Sequence, residues 1–239
     1  MLYNDDCLNI LPRIKENSVD VIFADPPYFL SNGGMSIKSG KIVSVNKGEW
    51  DKKANYDNID SFNQSWLTAC YKILKKEGTI WVTGTHHNIF SVYNQMILLG
   101  FKVINIIVWK KTDPPPLIFK NKFKFSHEFI IWSKKSNSYK YNNEVINMLY
   151  NNNITDVWEI PAVQNNEKKH GYHPTQKPEA LLNRIIQASS NVDDLILDPF
   201  MGSGTTGFCA ITNKRKFIGI EKDRRFFSIA YKRINESIN

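Results

Sequence analysis

The segment Asp198-Pro199-Phe200-Met201-Gly202-Ser203-Gly204-Thr205-Thr206-Gly207 follows the apolar run 195–197 and leads into a stretch of helical spacing that reaches Thr212. Gly202, Gly204 and Gly207 fit G-x-G-x-x-G, a spacing that lets backbone approach a ligand at the start of a helix. Glu221 ends the next apolar run, where an acid can take the two hydroxyls of a ribose. Read alone, this is the dinucleotide turn of an NAD-dependent oxidoreductase; a bare strand-to-helix turn would look the same. Asp198 argues against a dinucleotide, because a pyrophosphate would meet its negative charge at the mouth of the turn. A cofactor that carries an ammonium and a sulfonium, and no phosphate, would welcome that carboxylate. S-adenosylmethionine is such a molecule.

A second acid stands in a similar place. Asp25-Pro26-Pro27-Tyr28 closes the β-branched run 19–24, which reads as a buried strand stopped by prolines. Ligands of open α/β sheets sit at the carboxyl ends of strands, so both motifs face one crevice if their strands are neighbours. Asp113-Pro114-Pro115-Pro116 also follows an apolar run, but it lacks the aromatic residue and is assigned no chemistry.

Together the two motifs resemble those of the amino-group DNA methyltransferases. Their order, with the target-amine motif first and the cofactor motif last, is similar to the beta class of adenine-N6 enzymes. His173-Pro174-Thr175-Gln176-Lys177-Pro178 and Asp6-Cys7-Leu8 match that class too, with Asp5 where the class has glycine. The resemblance covers most of the chain and is weakest over residues 111–169, where such enzymes carry a target-recognition segment. Residues 28–34, Tyr-Phe-Leu-Ser-Asn-Gly-Gly, with 47–51, Lys-Gly-Glu-Trp-Asp, are similar to restriction-associated methylases that modify GATC.

The resemblance implies S-adenosylmethionine as cofactor, double-stranded or single-stranded DNA as partner, a homodimer, and a cognate restriction endonuclease acting on the same site. An amino group on a heteroaromatic ring is a poor nucleophile, so acceptors must hold its hydrogens. The Asp25 carboxylate and the Pro26 carbonyl are suited to this, and Pro26 with Pro27 leaves the backbone stiff and short of N–H donors. Tyr28, or Phe29 beside it, can stack on a flipped base. On the cofactor side the expected contacts are Asp198 near the methionine moiety, Gly202 and Gly204 at close backbone approach, Glu221 on the ribose, and Asp6 with the Cys7 backbone at the adenine edge. Lys177 is expected on the cofactor carboxylate, and His173, Thr175, Phe200, Ser203, Thr205 and Thr206 complete the set.

Other readings bear on the same residues. Cytosine-N4 enzymes usually have Ser in place of Asp25, so Asp favours adenine and leaves cytosine-N4 open. RNA methyltransferases with D-P-P-Y typically place the cofactor motif first. Cytosine-C5 chemistry needs a cysteine, typically after proline, and the chain has no Pro-Cys pair. A DNA-binding relative without catalysis would have no use for Asp25 and an intact glycine turn. His86, His87, His127 and His170 adjoin no cysteine pair, so no zinc site is read.

Strands alternating with helices predict a doubly wound, mostly parallel α/β sheet. The resemblance makes it a seven-stranded, Rossmann-like methyltransferase sheet, circularly permuted, in a single domain over 1–239. Helices are expected over 61–76 (ended by Gly78), 87–99 (ended by Gly100), 179–189, up to Thr212, and 224–234. Strands are expected over 19–24, 79–83, 101–109, 128–132, 195–197 and 217–220. The long aperiodic stretches 31–58 and 111–170 read as a DNA-contacting or gating loop and a target-recognition insert; a lid and a dimer surface are the alternatives.

Composition agrees. A chain of 239 residues suits one large domain or a domain with an insert. Its 31 Lys and Arg against 23 Asp and Glu give a net charge of +8, which fits a polyanion, although Lys- and Asn-rich usage alone would give it. Most lysine clusters fall between 110 and 170. No apolar run approaches the ~20 residues of a membrane span, and the N-terminus has no signal-peptide pattern. The scattered Cys7, Cys70 and Cys209 suit a reducing cytoplasm.

Overall fold

The structure, a computed structural model, describes residues 1–28, 35–38, 41–44, 58–114, 116, 121, 123–150 and 154–237. The strands are β1 (Leu2–Tyr3), β2 (Val19–Ala24), β3 (Met35–Lys38), β4 (Lys41–Ser44), β5 (Leu74–Gly84), β6 (Lys102–Lys110), β7 (His127–Lys134), β8 (Val157–Glu159), β9 (Leu195–Asp198) and β10 (Lys216–Ile220). The helices are α1 (Cys7–Ile10), α2 (Ile59–Ile73), α3 (Ile89–Leu98), α4 (Asn143–Leu149), α5 (Glu179–Ser189), α6 (Thr205–Thr212) and α7 (Arg224–Glu236).

Eight of these strands form one sheet in the order β1-β10-β9-β2-β5-β7-β6-β8, and β3 pairs with β4 in a separate hairpin. Only β7 runs against its neighbours in the large sheet. It follows β6 in the chain and lies beside it in the sheet, where the two pair antiparallel. The first strand lies beside β10, with Leu2 opposite Gly219 and Tyr3 opposite Ile220. That is the permuted connectivity expected. The eighth strand was not: β8 adds three residues to the edge beside β6, where Trp109 Nε1 donates to Ile160 O at 2.9 Å.

The parallel strands are apolar on both faces because helices cover both. Ile22, Ala24, Ile80, Val82, Leu197 and Ile218 face a core closed by α2 and α3, with Trp66 and Met96 fully buried. Val21, Phe23, Trp81, Ile196 and Phe217 face the other core, closed by α5, α6 and α7. Among the described residues no helix is long and apolar enough to cross a membrane.

Two sequence expectations change. First, α2 stops at Ile73, and the chain passes at once into β5, with Leu74 already extended and opposite Val19. Gly78 therefore lies within β5 and does not end the helix. A Cβ there would stand 2.8 Å from Asp20 O and 2.7 Å from Leu74 Cδ1. Second, the Asn-rich stretch after 142 holds α4. Its shape comes from docking: Asn142 Nδ2 donates to Gln187 O (2.9 Å) and Ser190 O (2.8 Å) at the end of α5, and Ile146 is buried. The strand expected over 128–132 is β7, which lies between β5 and β6.

Candidate active site

Asp25, Asp198 and Glu221 follow or end β2, β9 and β10, three consecutive strands of the sheet. The three acids therefore line one edge of it, and the two sequence motifs meet in one crevice. The turn after β9 is held by its own acid: Asp198 Oδ1 accepts from Phe200 N (2.9 Å), and Thr206 Oγ1 donates to Oδ2 (2.5 Å). Gly202 and Gly204 have φ of +52° and +79°, a left-handed backbone that side chains resist. A Cβ on Gly204 would also stand 2.9 Å from Ala230 Cα. The Gly202 N–H donates to Glu221 Oε2 (2.9 Å), and Asp223 N to Oε1 (2.7 Å), so the turn and the third acid are tied together.

Burial raises the Asp198 carboxyl from its ordinary 3.8 to about 7, against the help of Thr206 and the Phe200 N–H. Burial likewise raises Glu221 to about 7, against bonds from Asp223 and Gly202. Glu221 lines the larger cleft and Asp198 the recess beside it, and both carboxylates are desolvated.

That cleft, about 610 Å³ of empty space including its mouth, is walled by Asp6, Cys7, Phe200, Glu221 and Phe226, with Asp25 at one end. His173 and Thr175 also line it, and His173 packs edge-on against Phe226 with centroids 4.1 Å apart. Asp6 caps α1 by accepting from Leu8 N (3.0 Å), and Lys222 reaches its other oxygen at 2.9 Å. Burial raises the Asp6 carboxyl, and Lys222 with the Leu8 N–H more than offsets it. A smaller recess of about 280 Å³ continues past Asp25 toward Asp198, Ser203, Thr205 and Thr206. The Thr205 hydroxyl there accepts from Arg233 (2.9 Å).

Beyond Asp25 lies a third cavity of about 740 Å³, walled by Tyr28, Trp109, Lys111, Glu128, Tyr172 and Lys177. Between the cleft and this cavity runs a charged chain. Lys177 Nζ is 2.6 Å from Asp25 Oδ2. Tyr28 Oη is 2.6 Å from Asp25 Oδ1 and 3.0 Å from Glu128 Oε2. Thr83 Oγ1 donates to Asp25 Oδ1 at 2.6 Å, and Lys111 Nζ to Glu128 Oε1 at 2.6 Å. Burial opposes ionisation of Glu128, but Lys177 and Lys111 outweigh it and hold the carboxyl down at about 2.

Every described site residue named from the sequence lies at this crevice or in the turns that frame it. Lys177, expected on a cofactor carboxylate, is engaged by Asp25 instead. Phe29 and the stretch 47–51 lie outside the described residues. Thr83, Lys111 and Glu128 were missed. The sequence signal for Glu128 was an acid at the head of the apolar run 129–132. Among the described residues no group of three or more His, Cys, Asp or Glu could hold a metal ion.

The sequence family described as DNA methylase, N6_N4_Mtase, matches residues 19–232. The type II methyltransferase M2.MboI of Moraxella bovis is 45% identical over 98% of this chain and 87% of its own. M2.LlaDCHI of Lactococcus lactis subsp. cremoris is 46% identical over 99% of this chain and 89% of its own. The PvuII DNA methyltransferase, described as cytosine-N4-specific, superposes with a TM-score of 0.79 over 97% of this chain and 85% of that one. Its 22% identity makes that a likeness of fold. The M1.HpyAVI–SAM complex superposes at 0.71 with 26% identity, over 98% of each chain. Matched by one family over most of its length, and by relatives across nearly all of it, the chain belongs to the N6/N4 DNA methylases.

Proposed function

We propose that the chain is a site-specific DNA methyltransferase of a restriction-modification system, moving a methyl group from S-adenosylmethionine to N6 of an adenine flipped out of DNA. The observation that carries the reading is the position of Asp25. Its carboxylate lines the acidic cleft, and it bonds to Tyr28 and Lys177, which wall the third cavity. A donor bound in the first and an amine bound in the second would meet there.

The cleft fits the cofactor by its chemistry: two buried carboxylates with raised proton affinity, and a glycine turn that side chains would obstruct. When bound, S-adenosylmethionine supplies an activated methyl group on a sulfonium, already an excellent leaving group. Asp198 and Glu221 give that cation and the ribose their acceptors, and Asp6 with Cys7 walls the far end. Asp25 and the Pro26 carbonyl hold the hydrogens of the target amine. Tyr28 and Trp109 offer the base aromatic surface. The protein's contribution is positioning and electrostatics, with no covalent intermediate.

Asp25 favours adenine over cytosine. GATC is the proposed target, from the resemblance around 28–34 and 47–51 and from the likeness to type II methyltransferases. Stretches 31–58 and 111–170 would clasp the DNA; Ala162, Lys168 and Tyr172 already line the target-side cavity. A homodimer and a cognate endonuclease complete the proposal. The test is base-resolved sequencing of DNA methylated by the purified protein. N6-methyladenine in GATC is the expected result; N4-methylcytosine would move the assignment to the other amine, and unmodified DNA would refute it.

A further inference from the structure

The Tyr28 phenol has one hydrogen and stands between two carboxylates, closer to Asp25 (2.6 Å) than to Glu128 (3.0 Å). Asp25 is crowded. Thr83 and Tyr28 both donate to Oδ1, and Lys177 takes Oδ2. Each carboxylate oxygen offers about two lone-pair sites, so Thr83 and Tyr28 together fill Oδ1. Glu128 is less crowded. Lys111 holds Oε1 at 2.6 Å, while Lys177 stands 3.7 Å from Oε2, beyond hydrogen-bond length. Oε2 therefore faces the Tyr28 hydroxyl as a second acceptor. Burial and the two carboxylates keep the phenol protonated, well above its ordinary pKa, so it remains a donor whichever acid it serves.

Taking Asp25 as the acceptor of the target amine, as the proposed function does, we infer that Glu128 is a positioning residue that receives the Tyr28 hydroxyl when the amine engages Asp25. The exchange clears Oδ1 for the amine without leaving a buried phenol unsatisfied, an omission that would be costly. Lys111 steadies Glu128 for the exchange. Tyr28 and Glu128 lie 100 residues apart in sequence, and only the pairing of β5 with β7 brings β7's head beside Asp25.

The test is a double-mutant cycle in methylation kinetics, with Glu128→Gln and Glu128→Ala in the wild-type and Tyr28→Phe backgrounds. Thermal melting and S-adenosylmethionine affinity are measured for each variant. In the wild-type background kcat should fall roughly 10-fold for Gln and 100-fold for Ala, as for a buried hydrogen bond to a charged group. KM for DNA and cofactor affinity should stay within about threefold, since neither is bound through Glu128. In the Tyr28→Phe background there is no hydroxyl to rehouse, and the same changes should cost less than about twofold. Equal losses in both backgrounds would mean that Glu128 only holds the structure, and would overturn the inference. If Glu128→Ala melts below assay temperature, the near-isosteric Gln variant decides alone. An inactive wild type would instead refute the proposed function; an active wild type with additive losses removes only the role of Glu128.

Discussion

Lys177 Nζ lies 2.6 Å from Asp25 Oδ2, with the two side chains only 7% and 13% exposed. This pair joins the H-P-T-Q-K-P segment to D-P-P-Y across 152 residues. We propose that the lysine serves the target side of the site. An ammonium held by Asp25 and facing Glu128 supports the target side of the site. Burial works against its charge, and the two carboxylates more than compensate, raising its pKa.

Replacing Lys177 by Met should therefore cost kcat far more than it costs cofactor affinity. It leaves Asp25 and Glu128 near one another with one cation fewer. The rate should fall about 100-fold. Removing one partner of a buried pair also costs about 3–5 kcal/mol of stability. Steady-state kinetics, with calorimetry for S-adenosylmethionine, separate the two roles. A selective loss of cofactor affinity would return Lys177 to the cofactor carboxylate.

Asp25→Ala removes the charged acceptor at the reacting amine while leaving the walls of the cofactor cleft. Methyl transfer should drop on the order of a thousandfold. Dialysis should still find S-adenosylmethionine bound at nearly wild-type affinity. Turnover close to wild type would eliminate the mechanism.

Asp198 and Glu221 give the site its pH dependence. Both carboxyls are raised by burial, from 3.8 and 4.5 to about 7. A cationic ligand favours their ionised forms, so affinity for S-adenosylmethionine should weaken as pH falls from 8 to 6. The change should be roughly 10- to 100-fold, one factor of ten for each carboxylate that must ionise. Binding near pH 7 should release protons, which calorimetry in buffers of different ionisation enthalpy detects. The ligand-free protein should behave oppositely. These groups bind protons more tightly when folded, so their contribution to stability is full below the unfolded pKa and is lost as pH rises through about 7. Melting of the ligand-free protein at pH 6 and 8 checks that sign.

Much of this site was legible because its acids end apolar runs. Asp25, Asp198 and Glu221 are each the first charge after a buried strand, and parallel sheets gather such residues at one edge. The helix over 179–189 was equally plain, since its apolar spacing and Pro178 agree with its observed span. Glu128 was not legible, because its role depends on β7 turning back beside β5, and strand pairing leaves no mark on a single sequence. Nor was α4, whose N-cap residue Asn142 finds its partners at the end of α5. The three-residue β8 is too short to carry a period, and its place follows from Trp158 and Trp109 lying opposite each other.

The last prediction concerns the segment proposed to read DNA. Residues 111–170 combine two kinds of chain. β7 pairs with β6 along its length and with β5 from Phe129 to Lys134, and Trp132 stacks on Trp81 with centroids 4.5 Å apart. Residues 112–126 join β6 to β7 in sequence, while 162–172 contribute Ala162, Lys168 and Tyr172 to the wall of the target-side cavity. Side chains that reach base edges must come from chain free to follow the DNA, whereas lysines on phosphates add affinity without sequence preference. Exchanging 112–126 and 162–172 with a relative of different specificity should therefore transfer site preference while β7 and Glu128 stay in place. Exchanging the whole of 111–170 would replace a central strand and its packing, and should lower the melting temperature or abolish folding. Sequencing of the methylated DNA reads the first outcome, and thermal melting the second. A folded two-segment chimera that still modifies the original site would place the sequence reader elsewhere, with residues 31–58 as the next segment to exchange.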